Sequence, residues 1–328
     1  MFNMVHPGAG RISSTRSRGR RASRKTCRSS YSSRSAAEQN CNSLLDIVVE
    51  INSYCLPTYT VFSSHMRIVV PHLRRWRALG VFNVGDYVDN EDRWTVGDLI
   101  FKTNPRLEFP ALKRVIIPGC NGYVHPNFLS PTRMPSLEHL ELVECAKWEK
   151  ISSPSTLKTL KLSFGDFNRH HPLFPRLIRT QMLTTLSLEG NTNELMQAIV
   201  TPNLERFDYD PHHEENCLPS ASAVFGGLGR KFSSVRHISF LHLTMVRHYL
   251  TEHDPNALPL CEAFPNVCHA ELTPEDLAGL FMARPCNAES TQYFYPIDVW
   301  KDLQSLTFRG SSDMWMTELE QLPGWLMQ

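Results

Sequence analysis

The side chains best suited to chemistry cluster in a few short stretches. His212-His213-Glu214-Glu215 sets imidazoles beside carboxylates, the donor types of a zinc site. A helical zinc-protease site needs His-Glu-x-x-His, which puts two imidazoles on one helical face. Here His213-Glu214-Glu215-Asn216-Cys217 has cysteine where the second His must stand, so the stretch reads as a polar loop. His170-His171, just before Pro172, reads the same way. Gly226-Gly227-Leu228-Gly229-Arg230-Lys231 has the glycines of a phosphate cradle, but not the spacing of a P-loop or of a dinucleotide-binding turn. It reads as a flexible loop between strands. No Gly-x-Ser-x-Gly nucleophile turn occurs. The nine cysteines include no Cys-x-x-Cys pair, so neither a zinc ribbon nor a dense disulfide framework is expected. The expectation is a non-enzyme with no cofactor and no bound metal, whose thiols stay reduced in the cytoplasm or nucleus.

Charge is distributed unevenly. Residues 1–37 hold nine Arg or Lys and no acid, which leaves 25 basic against 33 acidic residues in the rest of the chain. Residues 1–40 therefore read as a disordered Arg/Ser-rich tail, too poor in apolar surface to offset the entropy of ordering. Its cluster Arg18, Arg20, Arg21, Arg24, Lys25 suits nuclear import or RNA contact, and Arg20-Arg21-Ala22-Ser23 suits phosphoregulation. A mitochondrial leader fits less well, because bulky apolar residues are few. No apolar run is long enough to span a bilayer, and no membrane association is expected.

The elements that would carry these residues follow from a repeat. The pattern Leu-x-x-Leu-x-Leu recurs with first positions at Trp76, Leu112, Leu137, Leu157, Leu183, Leu204, Val235, Val267 and Leu303. The spacings are 36, 25, 20, 26, 21, 31, 32 and 36 residues, and the middle ones match leucine-rich repeats. Strand side chains alternate faces, so the fourth and sixth positions point inward together and the third and fifth point outward. One unit cannot bury its own apolar side, so units must stack. Prolines 110, 135, 154, 202 and 265 stand just ahead of strands, where a missing N–H does no harm. Cys120, Cys145 and Asn191 fall at the ninth position, which serves the turn after each strand.

The expected fold class is α/β: a leucine-rich-repeat solenoid with a curved parallel sheet on its concave face and helices and loops on its convex face. The expected organisation is a helical lead-in over 41–75, the solenoid over 76–310 and a capping helix over 311–328. Short helices are expected from Pro274 to about Met282, where Thr273 is a suitable cap, and over Leu195–Val200.

The recurring Phe/Met-Pro-x-Leu-x-x-Leu-x-Leu motif resembles the fungal F-box/leucine-rich-repeat family. Leu44-Leu45-Asp46-Ile47-Val48-Val49-Glu50 and His72-Leu73-Arg74-Arg75-Trp76-Arg77-Ala78-Leu79 are similar to the stretch that joins the F-box of those proteins to their first repeat. The resemblance spans roughly residues 44–310. It implies a substrate-recognition subunit of a cullin-type ubiquitin ligase, with a protein substrate on the repeats and a Skp1-like adaptor on the F-box. Residues 1–43 contain no Leu-Pro-x-Glu opening of an F-box.

The concave face is expected to bind the partner. Its third positions include Arg114, His139, Thr159, Arg206, His237 and His269, and its fifth positions include Ile116, Glu141, Lys161, Asp208, Glu271 and Thr307. Mixed charges and hydroxyls suit a polypeptide partner, whereas nucleic acid would favour a basic stripe. The alternative is a nuclear or RNA-associated scaffold that acts through its basic tail.

Overall fold

The computed structural model describes residues 2–5, 43–52, 64, 68–84, 107–117, 130–143, 155–164, 178–190, 192–211, 221–240, 257–273, 277–281, 284–285 and 293–309. Their main feature is an eleven-stranded sheet. Its strands are β1 (Phe2–Val5), β2 (Leu45–Asn52), β3 (Trp76–Val84), β4 (Arg114–Ile117), β5 (His139–Leu142) and β6 (Thr159–Ser163). It continues with β8 (Thr185–Glu189), β10 (Arg206–Asp210), β11 (His237–Phe240), β12 (His269–Leu272) and β15 (Ser305–Phe308). Strand pairs β7 (Ile178–Arg179) with β9 (Ile199–Val200), and β13 (Arg284–Pro285) with β14 (Tyr293–Phe294), lie outside that sheet. Within the large sheet β1 runs antiparallel to β2, and all later neighbours are parallel. Strand order follows chain order, so each unit lies against the next, as in a solenoid-like parallel α/β fold. Even the 36-residue spacings insert no strand into the sheet: β3 pairs with β4, and β12 with β15.

The register is the one the repeat requires. Val115, Leu140, Leu160, Leu186, Phe207, Ile238, Ala270 and Leu306 are consecutive partners across the sheet. All are buried except Leu306, which is partly buried in the last unit. First positions from Trp76 to Val267 are also buried, and so are sixth positions from Ile117 to Leu272. This makes one continuous apolar face.

The prolines act through turns. Leu112, Leu137 and Leu204 donate their N–H groups to the carbonyls of Phe109, Met134 and Thr201, three residues back. Pro110, Pro135 and Pro202 thus occupy the second position of a β-turn, where a fixed φ is favourable. The residue that opens each of these turns is itself buried and adds a further row to the core. After the turn, one carbonyl serves two donors in the next unit: Lys158 and Thr159 both donate to Glu138, and Thr184 and Thr185 both donate to Lys158. After β8 the chain turns at Gly190, with φ +87°, where a Cβ would meet the Phe164 carbonyl oxygen at 2.5 Å. Only glycine fits there.

The core changes character along the chain. Leucines dominate β5 to β8, whereas β10 to β12 gather Phe207, Tyr209, Phe232, Phe240 and Phe264. Phe232 and Phe264 stack with ring centroids 5.1 Å apart. Helix α1 spans Asn193–Ala198, α2 Ala221–Phe225, α3 Leu258–Ala263 and α4 Leu277–Phe281. Phe225 of α2 meets Phe240 edge-on at 5.4 Å, so this helix packs on the apolar face.

Several expectations differ from the structure. Among the described residues of the lead-in over 41–75, Ser64 and Ile68–Arg75 are helical, most of the latter a 3-10 turn, and β2 forms ahead of them. Leu45, Ile47 and Val49 alternate as buried side chains, and a run with four β-branched residues from Ile47 to Ile51 favours strand over helix. The sheet therefore begins before Trp76. The first residues of the tail supply β1 instead of extending the disorder expected over 1–40. The helix expected over Leu195–Val200 ends at Ala198, and Ile199–Val200 form β9, because a β-branched run leading to Pro202 disfavours further helix. The glycine loop follows a helix, α2, that the sequence did not announce. The helix expected from Pro274 is described over Leu277–Phe281. Cys120, Cys145, Asn191, His170-His171, His212–Glu215, Arg18, Arg20, Arg21, Arg24, Lys25 and the capping helix over 311–328 lie outside the described residues.

Candidate functional site: the polar face of the sheet

The face opposite the core carries side chains in straight rows, because parallel strands paired in register repeat their outward positions about every 4.8 Å. The third-position row runs Arg114, His139, Thr159, Thr185, Arg206, His237, His269, Ser305. The fifth-position row runs Ile116, Glu141, Lys161, Ser187, Asp208, Ser239, Glu271, Thr307. All twelve sequence-designated face residues lie in these rows, and the sheet brings them onto one surface.

The rows differ in charge. The third-position row holds two arginines, three histidines and no carboxylate, whereas the fifth holds Glu141, Asp208 and Glu271. Farther along the strands, Glu189 and Asp210 are paired in register. The face thus grades from basic at the strand starts to acidic at the strand ends.

Many of these charges are engaged. Lys161 meets Glu141 at 3.0 Å, Arg206 Nε donates to both Asp208 oxygens at 3.0 and 3.1 Å, and Arg309 pairs with Glu271. Ser239 also donates to Glu271, at 3.2 Å, and is itself buried. Asp208 holds the Arg206 guanidinium more firmly protonated than usual. The rings of His237 and His269 stack with centroids 4.5 Å apart and planes 19° apart, and Nδ1 of His269 lies 2.8 Å from the Ser305 hydroxyl. His237 titrates below its ordinary value, first from burial and then from the adjacent His269 and Arg206, with Glu205 opposing. His139 is lowered by burial and then by Arg114.

A second ionic row, missed in the sequence, edges the face. Glu138 bridges Lys113 at 2.8 Å and Lys158 at 2.9 Å, and these two hydrogen bonds hold its carboxyl down to about 2. In the unit before, Arg77 reaches Asp46 of β2, with Nε 2.9 Å from the carboxylate. The alternating Lys113, Glu138, Lys158 at the second repeat position was the available signal.

Among the described residues no group of three or more His, Cys, Asp or Glu side chains is placed to hold a metal ion, and no helix is long and apolar enough to cross a membrane. The chain matches no model of a known protein family, and a comparison with curated proteins finds no significant relative. The ion pairs and hydrogen-bonding groups of the face, spread over eight strands, offer many points for recognition.

Proposed function

We propose that the chain is a leucine-rich-repeat interaction module that holds a protein partner on the concave face of its sheet. The in-register rows of mixed charge and hydroxyl carry this reading. They give a rigid strand-built surface rich in hydrogen-bonding groups, and its second side is committed to the core. On this reading the protein acts as a substrate-recognition subunit, like the F-box/leucine-rich-repeat family its motifs resemble, and a Skp1-like adaptor is its second partner.

The test is affinity purification of the full chain and of the triple variant Glu141→Lys, Asp208→Lys, Glu271→Lys. Each substitution leaves Lys161, Arg206 or Arg309 without its carboxylate and adds a like charge. Partner recovery is expected to fall at least tenfold, since mismatched charges at an interface cost several kcal/mol. Equal recovery from both would refute the concave-face assignment. Co-purification of a Skp1-like adaptor with the full chain tests the ligase connection separately, and its failure would refute that connection alone.

A further inference from the structure

The third-position row is most concentrated in potential positive charge where β10, β11, β12 and β15 lie side by side. Arg206, His237, His269 and Ser305 are successive partners there. Arg206, His237 and Ser305 are exposed and His269 is half-buried, so the group is open to a ligand. The groups around the imidazoles come from every adjoining strand. On β10 and just before it stand Glu205, Arg206 and Asp208. Arg236 precedes β11, and β12 adds Glu271. Beyond it, β15 offers the hydroxyls of Ser305 and Thr307, followed by Arg309.

Two carboxylates of the fifth-position row already have partners, while Glu205 stands beside His237. Asp208 receives Arg206, and Glu271 receives Arg309 and Ser239. Partial burial, the His269 ring stacked at 4.5 Å and the adjacent Arg206 disfavour a proton on His237. An anionic group placed over the row reverses that balance, and its binding takes up protons.

We propose that Arg206, His237, His269 and Ser305 form a pH-gated docking point for an acidic segment of the protein partner, which they grip more tightly as the solution is acidified. This rests on the reading of the face as a partner surface. The distance from Arg206 to Ser305, about three strand spacings or ~14 Å, matches about four residues of an extended peptide, so one short Asp- or Glu-rich segment can reach the whole group. Such a segment would lie across the strand starts along a row that itself holds no carboxylate, with Glu205 and the Arg236–Asp302 pair at its edge.

The probe is a fluorescein-labelled oligo-aspartate peptide, titrated with the full chain by fluorescence anisotropy at constant ionic strength. Imidazoles change charge between about pH 7.5 and about pH 5.5, while aspartate stays ionised. The parent protein is expected to bind about fivefold tighter at the lower pH, which is what a one-unit rise in the pKa of one imidazole on binding gives across this window. In the double variant His237→Asn, His269→Asn the two affinities are expected to agree within about twofold. His72→Asn, which removes an exposed imidazole in the 3-10 turn before β3, is expected to behave as the parent does. Arginines of residues 1–37 add to binding equally at both pH values and leave the ratio unchanged. A double variant with the parent's pH dependence, or a parent with none, would overturn the proposal. The partner recovered by affinity purification separates this failure from that of the wider reading. If its binding is lost in the Glu141, Asp208, Glu271 triple variant but ignores pH and the two histidines, the face stands and the acidic docking point falls. If it ignores every one of these substitutions, both fall.

Discussion

At the scale of single residues, the outward side chains are held by their neighbours in adjacent units more than by their own strand. Glu138 is the clearest case, since both of its lysines come from flanking units. Its folded-state pKa of about 2 lies below the ordinary 4.5, so the unfolded chain binds the proton more readily. The stabilisation is fully present above about pH 4.5 and is lost as pH falls from there towards 2. Glu138→Gln is therefore expected to lower the urea midpoint at neutral pH, with a gap from the parent that closes over that acid range. The effect is small because the pair is open to solvent, and added salt should shrink it. A gap of the same size at every pH would mean that the carboxylate charge contributes nothing. Such residue-scale detail was only partly legible. The alternation of Lys113, Glu138 and Lys158 is written in the sequence, but the closeness of these side chains depends on strand register. Likewise, the stack of His237 on His269 joins residues 32 apart, and only the pairing of β11 with β12 makes them neighbours.

At the scale of elements, the period-2 pattern decided nearly everything that the sequence revealed. Leu186 and Ser187 are adjacent in β8, yet one lies between Leu160 and Phe207 in the core and the other between Lys161 and Asp208 on the polar face. Leu186→Ala should cost about 2–5 kcal/mol, the usual range for a leucine removed from a close-packed interior. Ser187→Ala should stay within about 0.5 kcal/mol, as expected for a substitution away from the core. Chemical denaturation of the two variants checks the assignment of faces, and the reverse order of costs would show the register to be slipped by one residue. What the pattern could not reveal were elements outside its template. In β2, Leu44-x-x-Ile47-x-Val49 fits the repeat, yet Leu45 takes the place opposite Trp76 and the register then shifts, so that Asp46 faces Ala78. The short helix α2 is too brief for helical periodicity to emerge, and tertiary packing of Phe225 sustains it, whereas the sequence anticipates α1 with its bounds two residues too late.

At the scale of the whole molecule, strand order that follows chain order makes stability a sum over units and their interfaces. A unit of the right length should then be removable. Leu137 and Leu157 hold the same repeat position, and excising residues 137–156 joins Ser136 directly to Leu157. The turn is conserved by this excision, because Met134, Pro135 and Ser136 remain and Leu157 supplies the N–H that Leu137 donated to Met134. Strand β4 then meets β6, setting Val115 beside Leu160 and Ile117 beside Leu162, all of them side chains that already pack inward. One local cost is evident: Lys113 and Lys158 become neighbours without Glu138 between them. Adding Lys158→Glu should relieve it by restoring an opposite pair. The shortened protein is expected to keep its far-UV circular dichroism per residue and to unfold cooperatively in urea. Its midpoint should be lower and its denaturant dependence slightly shallower, since less surface is exposed on unfolding. Excising only residues 137–146 removes the same strand but brings no leucine into the vacated position, and it should abolish cooperative unfolding. If both excisions unfold the chain alike, the core is a single indivisible unit and strand order alone does not make the molecule modular. If the twenty-residue excision folds and the ten-residue one does not, the spacing of the leucines is what the fold counts.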